Sequence, residues 1–414
     1  MSLLKYVIIG NSTAGIGGVE GIRQVDSQGE ITVITNEMHH TYSRPLISYL
    51  LRDKITEEKM KYREDNFYAD NRCNLLSGVA ATKIDSKNKQ VELSDGRHIS
   101  YDKLLVATGS SAFVPKFEGL NSVESKHTFM SLDDARNLKK VLDRDKRVMI
   151  IGAGLIGLKC AENILGCVEH ITVLDLAPRI LSSILNDEGA NLVQAHLENN
   201  GIEFKLSSGV KKFEKNIAVL ENGEEINFDI LVLAVGVRAN TALLKDIAEI
   251  DRGIIINEKS ETTFPDIYAA GDCTQTLDVS SGQSKIMALL PNAYMQGECA
   301  GINMAGGEKT FGKAIPMNAI GFLGLHIITA GNYTGDIYSE NKAETGNYKQ
   351  LFYSDNKLNG YILIGKVDKA GIYTSLIREC TPLDSIDFAL ICEKPGLMAF
   401  SKEDRKSKLG GDAT

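Results

Sequence analysis

Glycines 152, 154 and 157 stand between an apolar run, RVMII, and a stretch of helical character, and Asp175 closes the next apolar run, HITVL. That spacing suits a dinucleotide. The first glycine allows a tight turn, the second lets backbone approach a diphosphate, and the third lets the helix pack on the strand. The helix start at Gly154, Leu155 and Ile156 then directs free N–H groups at the phosphates. Asp175 can accept hydrogen bonds from ribose hydroxyls. Leu176 and Ala177 follow it, so no adjacent arginine meets a 2′-phosphate, and NADH is expected over NADPH. A less regular copy lies at the N-terminus. It has Gly10, Ser12 and Gly15, with Ala14 in the turn, Glu37 as the acid and Asn36 beside it. A serine at the middle position can point away from the phosphates, so this copy too reads as a dinucleotide site.

The elements that carry these residues repeat. LKYVIIGNSTAG leads through a helical stretch to EITVITNE, and DKRVMIIGAGLIG leads through LKCAENILG to HITVLDL. Each is a strand–turn–helix–strand unit of a parallel sheet. Further strands follow at corresponding places, KLLVATGS and ILVLAVGVR. DIYAAGDC adds a fifth to the first unit, with no counterpart in the second. KNKQVELSDGRHISYD and NIAVLENGEEINFD read as hairpins with D-G and N-G turns. After about residue 312 the pattern alternates, with SDNKLNG as a turn. The fold class is therefore α/β, with two Rossmann-like domains and a small C-terminal α+β domain. The expected boundaries are 1–111 with 246–312, then 112–245, then 313–414 ending in a mobile tail.

A net charge of −8 argues against nucleic acid as a partner. No run approaches the roughly 18 apolar residues of a membrane span. The N-terminus lacks the basic leader of a signal peptide, and seven cysteines, an odd count, suit reduced thiols, so a cytoplasmic location is expected. None of the cysteines has metal-ligand spacing, no iron–sulfur ligation pattern is present, and no Ser-His-Asp arrangement stands out. No metal is expected.

Five motifs in order, GNSTAG, YDKLLVATGS, GAGLIGLKCAE, LAVGVRAN and TTFPDIYAAGDC, make residues 3 to about 305 resemble the FAD- and NAD-dependent pyridine nucleotide–disulfide oxidoreductase superfamily. The resemblance implies FAD in the first unit and NAD in the second. It places Asp272 on the ribityl hydroxyls and the backbone of Val79 or Ala80 on the adenine. Ala107, Thr108 and Gly109 are then near the flavin, and Gly236 near the second cofactor. Leu290 is placed at the cofactor, and the helix that opens at PNAYMQGECAG points its N-terminus at the flavin, where its dipole favours the reduced anion.

Many members of that superfamily carry a redox cysteine beside the flavin. The matching segment here, HHTYSRPLISYLL, has none, so dithiol chemistry is not expected. The segment resembles instead the loop of rubredoxin and ferredoxin reductases, through Tyr42, Arg44, Pro45 and Ser48. Tyr49 stands where those reductases have lysine, and Lys159 where the family has glutamate. Lys159 is therefore expected to supply a cation near the flavin, against a solvent-facing alternative. Arg44 is expected to contact FAD or a partner, against a structural salt bridge, and Pro45 to shape the pocket. His39 and His40 read as exposed loop residues.

The implied activity is electron exchange between NAD(H) and a small iron protein: rubredoxin, a ferredoxin or an iron–sulfur subunit of a larger enzyme. An oxygen-reducing NADH oxidase and a redox-sensing flavoprotein like apoptosis-inducing factor are the alternatives. The last hundred residues are expected to cover the flavin face, dock a partner or form a homodimer, with Lys402, Arg405, Lys406 and Lys408 read as solvated tail cations that also suit steering of an acidic carrier.

Overall fold

A computed structural model describes residues 3–342 and 346–408. These fall into two compact units. One contains the residues up to Ile180, Asn200–Thr276 and Ser284–Gly312; the other contains Leu181–Asn199, Leu277–Gln283 and the residues after Gly312.

The first unit holds two five-stranded parallel sheets. In one, the order is Ile267–Ala269, Lys103–Val106, Lys5–Ile9, Glu30–Ile34, Cys73–Leu76. In the other it is Glu203–Lys205, His170–Leu174, Arg147–Ile151, Ile230–Leu233, Lys126–Thr128. The central strands are apolar throughout because both faces of a parallel sheet are covered; Val7, Ile8, Val148 and Ile150 are essentially inaccessible. The second sheet has a fifth strand after all. It is Lys126–Thr128, which precedes the repeat, whereas the fifth strand of the first sheet, Ile267–Ala269, follows it. The two hairpins each gain a third strand, Ala81–Asp85 and Val210–Glu214.

Helices Thr13–Val25 and Leu290–Met304 pack backbone to backbone. A Cβ on Gly297 would lie 2.0 Å from the carbonyl oxygen of Ala14, and one on Gly301 2.2 Å from that of Gly18. Only glycine allows this approach. Gly297→Ala must push the helices apart, which costs roughly 1–3 kcal/mol as an overpacking change. Thermal denaturation should show the loss, together with weaker FAD retention, because both helices open at the same cavity.

Two strands, Ser110–Ala112 and Val237–Ala239, form an antiparallel ribbon where the chain leaves the first sheet and returns to it. Asn240 fastens the crossing. Its Nδ2 donates to Thr108 O (2.9 Å), its carbonyl accepts from Thr108 Oγ1 (2.7 Å), and its Oδ1 accepts from Ser111 Oγ (2.8 Å).

The second unit is built on an antiparallel sheet in the order Met317–Phe322, Leu325–Gly331, Lys357–Ile364, Asn347–Ser354, Asp336–Lys342. The expected turn is the pair Asp355-Asn356, with φ of 49° and 60°, as a two-residue hairpin loop requires. Helix Ala370–Arg378 covers the sheet through Tyr373, Leu376 and Ile377. The second unit also takes helix Asp187–Glu198. Asn186, its N-cap, donates to Tyr348 OH and Gln350 Oε1. Part of the expected mobile tail is ordered: Lys402–Lys408 is a helix, and 409–414 lie outside the described residues. Among the described residues, no helix is long and apolar enough to cross a membrane.

Candidate active site

A cavity of about 800 Å³ opens at the carboxyl end of the first sheet, where ligands of such sheets bind. Gly10, Ser12 and Ala14 line it from the first turn, Asn36 and Glu37 from the second strand end, and Arg44 from the loop after it. Val79 and Ala80 line it from the link between strands Cys73–Leu76 and Ala81–Asp85, Ala107, Thr108 and Gly109 from the turn after strand Lys103–Val106, and Asp272 and Leu290 from the returning chain. Gly15 and Pro45 are not on the wall. Gly15 packs the turn, since a Cβ there would lie 2.0 Å from Gly10 O. Ser12 stands at the N-cap position of helix Thr13–Val25 with φ −98° and no side-chain cap bond, a conformation any side chain can adopt, so serine is tolerated in the middle of the motif.

Arg44 spans part of the cavity. Its Nη2 lies 2.7 Å from Glu37 Oε1, its Nε donates to Ser12 Oγ (3.3 Å) and its Nη1 to Met130 O (3.3 Å). Tyr42, beside it, accepts from the Leu132 N–H (3.0 Å). The loop is thereby fastened to the segment that follows strand Lys126–Thr128 of the second sheet. His39 and His40 are not exposed. His39 Nε2 contacts Asp133 Oδ1 (2.9 Å), and His40 stands edge-on to Tyr68 with ring centres 5.2 Å apart.

The wall fits FAD on the chemistry of its donors and acceptors. Asp272 is largely buried, and burial pushes its carboxyl pKa up, although the Ser110 hydroxyl (3.1 Å) and the Arg44 cation oppose the shift. Such a carboxylate calls for further donors, which a polyhydroxyl chain has. His40 Nε2 and Thr41 Oγ1, on two residues of the wall, are buried without a partner. Helix Thr13–Val25 starts at the wall, and so does Leu290–Met304. No cysteine lines the cavity among the described residues. Cys73, the nearest in sequence to the loop, is partly buried, with its thiol pushed up to about 11 by burial.

At the second sheet, Asp175 is held by both carboxylate oxygens. Oδ2 accepts from the Ala153 N–H (2.7 Å) and Oδ1 from the Ala177 N–H (2.8 Å). Gly154 begins helix Leu155–Ile164 at its N-cap, and a Cβ there or on Gly236 would meet nothing within 4 Å. Gly152 and Gly157 repeat the close contact of Gly10 and Gly15, with a Gly157 Cβ 2.0 Å from Gly152 O. Leu155 and Ile156 form the first turn of that helix. An open glycine at a helix start beside a fixed carboxylate fits NAD. Lys159 lies outside the cavity wall. Its Nζ is 2.5 Å from Glu162 Oε2 and 5.2 Å from the centre of the Tyr49 ring.

Asn240–Leu243 and Lys245 also line the wall, a placement that the LAVGVRAN pattern marks in the chain but does not reveal. They reach it because the chain re-enters the first sheet there. Ser110, whose hydroxyl donates to Asp272, is 162 positions away from it and carries no local signal of that contact.

Two parallel nucleotide folds joined by a ribbon, one over a large cavity and one with a carboxylate fixed beside a glycine-led helix start, define a flavin- and pyridine-nucleotide-dependent oxidoreductase. The chain belongs to the pyridine nucleotide-disulphide oxidoreductase family, whose model matches residues 4–297. Residues 316–381 match the rubredoxin NAD+ reductase C-terminal domain. FAD and NAD(H) are the cofactors of this family. The chain is 31% identical over 396 residues to the NADH-dependent phenylglyoxylate dehydrogenase subunit epsilon of Aromatoleum evansii, covering 92% of this chain and 94% of that one. It is 30% identical to the rubredoxin-NAD(+) reductase of Pseudomonas putida, over 73% of this chain and 80% of that one. Its fold matches putidaredoxin reductase, solved in covalent complex with putidaredoxin, with a TM-score of 0.88 over the full length of both chains at 22% identity. NADH:rubredoxin oxidoreductase of Clostridium acetobutylicum matches with a TM-score of 0.75 at 25% identity, over 92% of this chain and 97% of that one.

Proposed function

We propose that the chain passes electrons between NAD(H) and a small iron protein, either a free carrier such as rubredoxin or ferredoxin or an iron–sulfur subunit of a larger enzyme. The carrying observation is the cysteine-free cavity wall, which leaves no thiol to relay electrons from the flavin. Relatives named as rubredoxin reductases and as a subunit of an NADH-dependent dehydrogenase support the reading. Bound FAD supplies acceptance of a hydride from NADH and release of electrons singly. The residues position and exclude. Asp272 and the two helix starts hold the cofactor, Arg44 closes the wall over Glu37 and Ser12, and Asp175 fixes the NADH ribose. The nucleotide domains are read as 1–111 with 246–312 and 112–245, in a cytoplasmic protein that forms a homodimer.

Stopped-flow reduction by NADH, followed by mixing with rubredoxin, ferredoxin or air, tests this. Reoxidation by an iron protein should outrun reoxidation by air at least tenfold. An NADH oxidase of Methanocaldococcus jannaschii, 31% identical over 321 residues, favours oxygen as the second reading. Equal or faster turnover with air alone would establish it.

A further inference from the structure

Ser110 opens the strand Ser110–Ala112, where the chain leaves the first sheet. Asp272 lies 162 residues later, in the turn after strand Ile267–Ala269. Both backbones are fixed. Ser110 pairs with Ala239 in the ribbon, and the Asn240 N–H donates to Gly109 O (2.9 Å) just before it. On the other side the Gly271 N–H donates to Gln296 Oε1 (2.8 Å), and the Thr274 N–H closes the turn onto Gly271 O (2.9 Å). Gln296 is itself buried in helix Leu290–Met304. The Ser110 hydroxyl bridges these two rigid pieces by donating to Asp272 Oδ2 (3.1 Å), and both residues line the cavity. Among the described residues, no hydrogen bond reaches Asp272 Oδ1.

Stability does not account for this contact. Burial raises the Asp272 pKa, and the Ser110 hydroxyl and the Arg44 charge do not cancel the rise. Arg44 acts on Asp272 through its charge, while its hydrogen bonds go to Glu37, Ser12 and Met130. An uncharged side chain would suit the protein alone better than a buried carboxylate with one donor. A serine that holds this acid charged and oriented serves something that binds to it.

We propose that Ser110 is a positioning residue for FAD: its hydroxyl fixes one oxygen of the Asp272 carboxylate and leaves the other ready for the ribityl hydroxyls. A side chain that is free to rotate must be ordered when a ligand binds, and that ordering weakens affinity. Ser110 orders it beforehand. A serine hydroxyl has a single hydrogen, and giving it to the carboxylate also favours the charged form. A charged acceptor makes stronger hydrogen bonds than a neutral acid does. The inference rests on Asp272 being the acid that meets the ribityl chain.

The test is FAD release from the purified holoprotein on dilution, followed by flavin fluorescence over a series of acid to neutral pH values. Ser110→Ala should weaken FAD binding about tenfold near neutral pH, the lower end of what a hydrogen bond to a charged group contributes. On acidification this variant should lose FAD from a higher pH than the wild type, because its Asp272 takes up a proton sooner. In an Asp272→Asn background, which has no charge to hold, the same substitution should change affinity less than about twofold. Equal losses in the two backgrounds, or a pH profile that does not move, would overturn the proposal, since a serine that merely packs the ribbon acts alike whatever stands at position 272. An Asp272→Asn protein that binds FAD as well as the wild type would overturn it too, together with the place of Asp272 at the cofactor. Loss of FAD in Asp272→Asn with none in Ser110→Ala would remove Ser110 alone.

Discussion

Asp272→Asn should give a protein that releases FAD on dilution yet melts at a higher temperature once the cofactor is gone. Both effects come from one buried carboxylate. Its pKa is raised, chiefly by burial. A raised acid pKa means that the native state binds the proton more tightly than the unfolded chain does. Stability is therefore lost as pH rises from the unfolded value through the folded one, and above the folded value the full penalty is present. Asparagine removes the charge and with it the penalty. The same carboxylate is the acceptor that a ribityl chain would use. Hydrogen bonds to a charged group contribute roughly 1.5–3 kcal/mol, so FAD affinity should fall about 10- to 100-fold. Flavin fluorescence on dilution measures the first effect and calorimetry of the stripped protein the second. An unchanged affinity would remove Asp272 from the cofactor site. A lower apoprotein melting temperature would mean that the carboxylate is satisfied by the protein itself.

The parts legible in the sequence were those set by local pattern. Runs such as YVII and VMII could only be central parallel strands, and the paired glycine turns announced two nucleotide folds. Lys126–Thr128 was not legible, because KHT is short and polar and sits at a sheet edge, where one side needs no cover. His39 and His40 looked like surface residues because their partners, Asp133 and Tyr68, are 94 and 28 positions away. Arg44 was read as touching either the cofactor or a salt bridge. The structure puts it on the cavity wall and in contact with Glu37 together, which no spacing rule anticipates. Lys159 was expected to stand as a cation near the flavin. Its pairing with Glu162, one helical turn on, was available in the sequence as an i,i+3 spacing, but nothing local said that this face of the helix would be buried against Tyr49. Helix Asp187–Glu198 reads as part of the second nucleotide unit, yet its N-cap amide bonds to Tyr348 and Gln350, some 160 residues later.

Asp175→Ala should raise KM for NADH about 100-fold while leaving kcat within a few-fold of the wild type. The carboxylate at the end of strand His170–Leu174 is fastened by the Ala153 and Ala177 amides, so it meets the ribose without first having to be ordered. Each carboxylate oxygen has a second lone pair left for a hydroxyl. Losing two such hydrogen bonds, discounted for the water that replaces them, costs about 2.7 kcal/mol, and that is the hundredfold. The interaction lies at the adenosine end, far from where hydride moves, and it is the same in ground and transition states. Its loss therefore belongs in KM and not in kcat. NADPH should respond differently. Its 2′-phosphate is repelled by Asp175, so alanine removes a repulsion as well as an attraction, and KM for NADPH should stay level or fall. The ratio of kcat/KM values for the two nucleotides is thus the sharper measurement. A ratio unchanged by Asp175→Ala would mean that nucleotide choice is made elsewhere, and the open surface at Leu176, 73% exposed, would be the next place to substitute.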